Sequence, residues 1–213
     1  MKSMGKVFIL GDSYSTFEGA IPEEFVSYYG KEIHPETNVY DVSQTWWHMF
    51  LKETGSDLML NSSYSGTTVC HTGYAGKDCR ETSFVARFDK LVKAGYFKNN
   101  KPDTFIVFGG TNDAWANSPV GELKYSEWTD EDLYSSLPAY CCLLHRISEV
   151  LPETKVICII NDDIKPEIQQ GYAKACEKYG IQSIQLNAFD KVEGHPTKTG
   201  MEQIKDQIIS KLY

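Results

Sequence analysis

Lys6-Val7-Phe8-Ile9-Leu10-Gly11-Asp12-Ser13-Tyr14-Ser15 runs from a short apolar stretch straight into a turn of small polar residues. A buried strand that hands over abruptly at its carboxyl end begins a βα unit, and in an open parallel sheet that rim is where ligands bind and nucleophiles are exposed. Four further apolar runs follow, at 57–60, 104–108, 155–160 and 182–186. Segments with helical periodicity separate them, at 44–54, 81–93, 130–151 and 166–179. The stretch 196–212 closes the chain as another helix, with Pro196 in its first turn. The alternation predicts βαβ units joined by right-handed crossovers into a five-stranded parallel sheet. Every loop leaving the carboxyl end of a strand then gathers on one rim, the Ser13 turn among them.

At 213 residues the chain fits one domain, 1–213, long enough to bury roughly 70% of its unfolded surface without staples. It shows no internal repeat and no linker. A formal charge of -8 with no basic run argues against nucleic acid and anionic membrane surfaces as partners. No run approaches the roughly 20 apolar residues that span a bilayer. The first strand begins almost at Met1, which leaves no room for a leader. The expectation is a cytoplasmic protein, although a secreted chain whose leader had been trimmed reads the same. Cys141, Cys142, Cys158 and Cys176 fall in expected helices and a buried strand, where thiols behave as small hydrophobes. Cys70 and Cys79 flank a Gly-rich loop, and both a bridge and free thiols are open there. No Cys/His spacing resembles a zinc site, so neither metal nor organic cofactor is expected.

Two segments are longer than crossovers need. The first, 16–43, leaves directly from the Ser13 turn and carries Phe17, Phe25, Tyr28, Tyr29 and Tyr40. It reads either as a lid or substrate wall or as a surface excursion whose aromatics pack on the domain. The second, 114–129, carries Trp115, Tyr125 and Trp128 and offers an opposite wall. Tyr14 and Trp115 are the candidates for contact with substrate.

The residues that carry chemistry stand at the strand ends. Ser13 is a candidate nucleophile, or a helix cap. Gly66, in Ser65-Gly66-Thr67, lets a backbone N–H approach a tetrahedral centre, or simply makes a turn. Asn112, in Gly109-Gly110-Thr111-Asn112-Asp113, carries an amide that donates to developing negative charge without titrating. His195, in Glu193-Gly194-His195-Pro196, titrates near neutrality and can take and return a proton. His34 and His71 have rim positions of their own, whereas His48 and His145 fall on helices.

Taken in order, Gly11-Asp12-Ser13, Gly66, Gly110-Thr111-Asn112-Asp113 and His195-Pro196 resemble the successive blocks of the SGNH or GDSL-type hydrolases. The resemblance spans nearly the whole chain. It implies a three-layer α/β/α sandwich of flavodoxin-like type and ester hydrolysis through an acyl-serine, with no cofactor. It makes Ser13 the nucleophile, His195 the base, and the Ser13 N–H, the Gly66 N–H and the Asn112 amide the oxyanion hole. One block departs from the pattern: the family's acid stands three residues before the histidine, and that position is Val192. Asp190 is the first substitute and Glu193 the second. The third reading is a Ser–His dyad oriented by a backbone carbonyl or water. The substrate implied is a small-molecule ester, with acetyl groups on a sugar or other polyol as the specific case. That case rests on Trp46, Trp47, Trp115, Trp128 and the tyrosine-rich first loop, with at least one of Trp46 and Trp47 expected in the core. Thioesters or lysophospholipids suit the same machinery, and the loss at Val192 also fits a binding protein that keeps the fold without the activity.

Overall fold

Val7 and Ile9 point to one face of the first strand and Phe8 and Leu10 to the other, and the two sets end in separate cores. This alternation about a strand buried on both sides requires helices on both faces. The computed structural model, which describes residues 3–213, has that architecture. Strands β1 (Lys6–Gly11), β2 (Asp57–Ser63), β3 (Thr104–Phe108), β4 (Lys155–Ile160) and β5 (Gln182–Gln185) form one sheet in the order β2-β1-β3-β4-β5. All four pairings are parallel. Helices α2 (Phe84–Lys93), α5 (Ser136–Val150) and α6 (Pro166–Lys178) pack on the Phe8/Leu10 face, with the one-turn α3 (Tyr96–Asn99) beside them. Helices α1 (Trp46–Thr54) and α7 (Lys198–Leu212) cover the Val7/Ile9 face. The result is a three-layer α/β/α sandwich.

Local chemistry sets the helix ends. The Thr45 hydroxyl caps α1 by accepting from the His48 N–H, and Gly55 closes it in the left-handed region at φ 61°. Ser83 and Thr197 cap α2 and α7 in the same way.

Three features differ from the sequence expectation, and a fourth decides between the two states left open for Cys70 and Cys79. Strand β2 continues past Leu60 through Asn61, Ser62 and Ser63, because ladder bonds need no apolar side chain and these polar groups are buried with partners. The region expected to start a helix at 130 makes a single 3₁₀ turn over Asp132–Tyr134 before α5 begins at Ser136. Pro196 is not in the first turn of the last helix. It belongs to a two-stranded antiparallel hairpin, β6 (Lys191–Val192) with β7 (His195–Pro196). All six cysteines are free thiols, so the Cys70–Cys79 bridge does not form.

Candidate active site

The strand order 2-1-3-4-5 reverses direction between β1 and β3, the switch point where such sheets bind ligands. Gly11, the last residue of β1, pairs with Ser63 at the end of β2 and with Phe108 at the end of β3. The three following loops therefore leave the sheet side by side. They carry Ser13, Gly66 and Asn112, the last on the one-turn helix α4 (Thr111–Trp115).

His195 reaches this rim on the β6–β7 hairpin. Its Nε2 lies 3.0 Å from the Ser13 Oγ. Its Nδ1 faces the backbone carbonyl of Glu193 at 3.3 Å. Since that carbonyl only accepts, Nδ1 carries the proton and Nε2 is left as the acceptor for the serine hydroxyl. Among the described residues no carboxylate stands within 4.0 Å of this imidazole, although His34 and His145 each have one. Hairpin register explains the gap. Val192 sits opposite His195, while the Asp190 carbonyl bonds the Thr197 N–H one step further along. The Asp190 carboxylate is accordingly taken by the Thr197 hydroxyl at the start of α7. Neither the Asp190 nor the Glu193 side chain is brought to His195, whose Nδ1 meets a main-chain carbonyl instead.

The hairpin turn is Glu193-Gly194, with φ of 49° and 80°. Two positive values in a two-residue loop mark a type I′ turn, whose twist suits the flanking strands. Glycine is required at 194 twice over, because a Cβ there would also meet the Trp115 ring at 3.0 Å. Three tyrosines hold the three residues that follow the turn's start. The Tyr14 hydroxyl donates to the Gly194 carbonyl at 2.5 Å, and the Tyr29 hydroxyl donates to the Pro196 carbonyl at 2.9 Å. Between them, the Tyr28 ring lies flat on the His195 imidazole, with centroids 3.5 Å apart and planes 7° apart. Trp115 and Tyr14 meet the same imidazole edge-on. Burial among these rings pushes the His195 pKa down to about 4, against the Glu193 carbonyl, which raises it. The imidazole is thus uncharged at neutral pH.

Three candidate hydrogen-bond donors stand on the loops that follow β1, β2 and β3. The N–H groups of Ser13 and Gly66 make no hydrogen bond among the described residues. Gly66, at φ 75°, is exposed, with nothing within 4 Å of where a Cβ would stand. The Asn112 amide donates through Nδ2 to the Thr67 carbonyl at 3.0 Å, and its Oδ1 accepts from the Tyr74 hydroxyl at 2.7 Å. That pair of partners fixes which end of the amide is which, since a flip would set Oδ1 against a carbonyl oxygen. One Nδ2 hydrogen remains for a ligand. Asp113, buried beside it, accepts from the Val69 and Cys70 N–H groups at 2.8 and 3.2 Å and ties α4 to the loop after β2. Burial raises its carboxyl pKa, and those N–H bonds oppose the rise.

Beneath the rim lies a buried cation that sequence reasoning passed over. The Arg87 guanidinium, on α2, donates to the carbonyls of Gly11 at 3.0 Å and Thr82 at 3.1 Å, to the Thr67 hydroxyl at 3.2 Å and to the Ser62 carbonyl. It binds together the ends of β1 and β2. Its signal was an arginine at an otherwise apolar helix position, Phe84-Val85-Ala86-Arg87-Phe88. Asp12, fully buried next to Ser13, accepts from the Tyr14 N–H through Oδ1, while Oδ2 has no partner. Desolvation lifts its pKa to about 7, against the pull of the Tyr14 N–H and Arg87.

The remaining expected contacts divide. Trp115 is 37% exposed at the rim. Tyr14 is fully buried, its hydroxyl engaged with Gly194, so it does not face substrate. Trp46 and Trp47 are both in the core, and Trp46 donates to the Ser15 hydroxyl at 3.2 Å. Trp128 packs on His145 of α5. His71 is buried against Ser83. The 16–43 segment is both things at once: Phe17 and Tyr29 pack into the protein and Tyr28 walls the site. Tyr74 and Val26 are exposed large side chains attached to the same rim. Among the described residues no group of three or more His, Cys, Asp or Glu could hold a metal ion, and no helix is long and apolar enough to cross a membrane. A depression of about 650 Å³ lined by Gly5, Asp103, Thr104 and Lys155 lies at the amino ends of the strands, away from Ser13.

A flavodoxin-like sandwich with a serine, a histidine and free N–H donors converging at its switch point defines an ester hydrolase of the serine type. The chain belongs to the GDSL-like lipase/acylhydrolase family, whose profile matches residues 5–212. Solved structures agree. A GDSL-like lipase from Bacteroides ovatus is 41% identical, with a TM-score of 0.92 and 99% of each chain covered. Another, from Bacteroides uniformis, is 40% identical, with a TM-score of 0.89, covering 98% of this chain and 95% of that one. An acetyl xylan esterase from Butyrivibrio proteoclasticus shares the fold at 18% identity and a TM-score of 0.59, over 100% of this chain and 65% of that one. No protein of curated function matches the chain.

Proposed function

We propose that this ester hydrolase works through a Ser13–His195 dyad and removes small acyl groups, acetyl in particular, from a carbohydrate or related polyol. The 3.0 Å contact between the Ser13 Oγ and the His195 Nε2 carries the reading. Ser13 attacks the ester carbonyl carbon while its proton passes to Nε2. The carbonyl oxygen, now an oxyanion, accepts from the Ser13 and Gly66 N–H groups and the free hydrogen of Asn112. Collapse expels the alcohol, which takes the proton from Nε2 and leaves an acyl-serine. A water then attacks that ester, gives its proton to Nε2, and the acid departs as Ser13 is reprotonated.

A small acyl group is supported by the burial of the site: Ser13 and Asn112 are each only 2% exposed, which leaves little room around the reacting atoms for a long acyl chain. A sugar or polyol on the alcohol side is supported by Trp115 and Tyr74, 37% and 44% exposed beside that site, since flat aromatic faces suit pyranose rings.

The test is covalent labelling by a fluorophosphonate together with hydrolysis of p-nitrophenyl acetate, p-nitrophenyl octanoate and an acetylated xylo-oligosaccharide. Labelling and acetate release are expected in the wild type and absent in Ser13→Ala. A wild type that neither labels nor hydrolyses the acetate ester overturns the dyad. A preference for octanoate overturns the small-acyl reading alone.

A further inference from the structure

A histidine base without a carboxylate partner lacks two things: a group that fixes the ring and a group that stabilises it once it has taken a proton. Among the described residues the Glu193 carbonyl, at 3.3 Å, is the one hydrogen-bond partner of Nδ1, and it sits on the same turn as the histidine. A partner on the same short turn moves with the ring and restrains it weakly. From elsewhere in the molecule Tyr14 and Trp115 touch the ring edge-on, and the contact that covers its flat face is the Tyr28 ring, parallel to the imidazole at 3.5 Å.

We infer that Tyr28 is a positioning residue for His195, and that its ring face does for the imidazole what an acid does in a triad. The inference rests on the dyad proposed above. Three observations support it. First, Tyr28 is anchored independently of the hairpin. Its N–H donates to the Thr16 hydroxyl at 2.9 Å, and the Thr16 hydroxyl donates to the Ser13 carbonyl at 2.9 Å, so the ring that sets the base is tied to the turn that bears the nucleophile. Second, its neighbour Tyr29 is wholly buried and holds the Pro196 carbonyl, so two consecutive residues of the 16–43 segment grip two consecutive residues of β7. Third, the ring is backed on its far side. His34 stacks on it at 3.8 Å, and Nδ1 of His34 is bonded to the Glu36 carboxylate at 2.8 Å.

The chemistry follows from the ring's charge distribution. The face of a tyrosine is electron-rich and attracts a cation placed over it. While Ser13 attacks, the proton on Nε2 turns His195 into an imidazolium lying against that face, and the attraction appears only as the charge develops. The groups that surround the imidazole are Tyr28, His34 and Glu36 from the long segment, Ser13 and Tyr14 from the turn after β1, Trp115 from α4, and Glu193 from the hairpin. Across the stack His34 opposes the protonated ring and the Glu36 carboxylate attracts it, so the two partly offset each other.

The experiment compares Tyr28→Phe, Tyr28→Leu and Ser13→Ala with the wild type, reading kcat, KM, the acid limb of kcat/KM and the melting temperature. Phenylalanine keeps the flat face, and leucine keeps apolar cover without one. The leucine variant is expected to lose about 10²-fold in kcat, the cost of a base displaced by roughly an ångström, with KM and melting temperature near wild type. Its acid limb moves to lower pH, because the apolar cover stays while the electron-rich face that favours the protonated ring is lost. The phenylalanine variant restores most of the turnover and the wild-type limb. If leucine leaves kcat and the limb where they were while Ser13→Ala is inactive, the positioning role of Tyr28 is wrong and the dyad stands. If Ser13→Ala keeps its turnover, the dyad itself is wrong. If leucine melts early, phenylalanine decides: a loss of kcat there, with normal stability, overturns the role of the ring face.

Discussion

The turn after β1 and the hairpin before α7 bring Ser13 and His195 within one hydrogen bond, yet they are held by different means. The serine turn grows out of the middle of the sheet. Its supports are the Arg87 guanidinium on the Gly11 carbonyl, the Asn61 amide on the Ser15 carbonyl and the Trp46 indole on the Ser15 hydroxyl, all buried. The hairpin has two residues in each strand, projects beyond the sheet, and is gripped by side chains from the Ser13 turn and the 16–43 segment. The serine turn is thus fixed by the sheet beneath it, whereas the hairpin is fixed by side chains that reach it from two other loops, two of them rooted in the core and one, Tyr28, at the rim.

The difference makes predictions of graded size. Asn112→Ala, on the serine side, removes a proposed oxyanion donor and is expected to lower kcat by about 10²–10³-fold with a smaller change in KM, read by steady-state kinetics. On the base side, the acid limb of kcat/KM is expected well below the ordinary histidine value of 6.5, toward the value of about 4 that burial imposes. The folded protein holds this imidazole neutral where the unfolded chain protonates it. Its contribution to stability is therefore full above pH 6.5 and is lost as the pH falls toward 4. A pH–rate profile with a midpoint at 6.5 or above would break the account of the aromatic enclosure. Arg87→Met returns the test to the serine side. The Gly11 carbonyl keeps the Tyr64 N–H, but the other acceptors lose a partner, and at about 1–3 kcal/mol for each group left unpaired the loss is expected to reach at least that range, measured by urea unfolding, with kcat falling as the strand ends loosen. The smallest effect sharpens the contrast most. Asp190→Asn is expected to change kcat by no more than about twofold, where loss of a true triad acid costs about 10⁴-fold. It removes only the carboxylate that accepts the Thr197 hydroxyl, about 1 kcal/mol of stability. A loss of 10³-fold or more would restore Asp190 as the orienting acid.

The same contrast decides what could be read in advance. The serine end was legible because it is local: an apolar strand, a small-residue turn, and two more strands followed within a few residues by a glycine and an asparagine. Parallel register then sets the loops that carry Ser13, Gly66 and Asn112 side by side with no further information. The base end was legible in identity and not in support. His195 was named from its residue type and place, but the orientation of its ring depends on a backbone carbonyl, and every residue has one. Pro196 read as a helix start because its fixed φ suits one, and the antiparallel pairing with Lys191 overrode that preference. Tyr28 stood among five aromatic residues of one segment with nothing local to distinguish it from Tyr29, which points the other way into the core. Asn112's dependence on Tyr74 was equally hidden, since the two are 38 positions apart.

The grip of Tyr28 and Tyr29 on His195 and Pro196 has a consequence for how this chain can change. Surface segments ordinarily drift in length and sequence, but here one is coupled residue by residue to a hairpin about 167 positions away. The two are expected to be inherited as a unit. Transplanting residues 190–197 alone into a relative with a different first segment should yield a folded protein with a misaligned histidine, and moving 16–43 with them should return the activity.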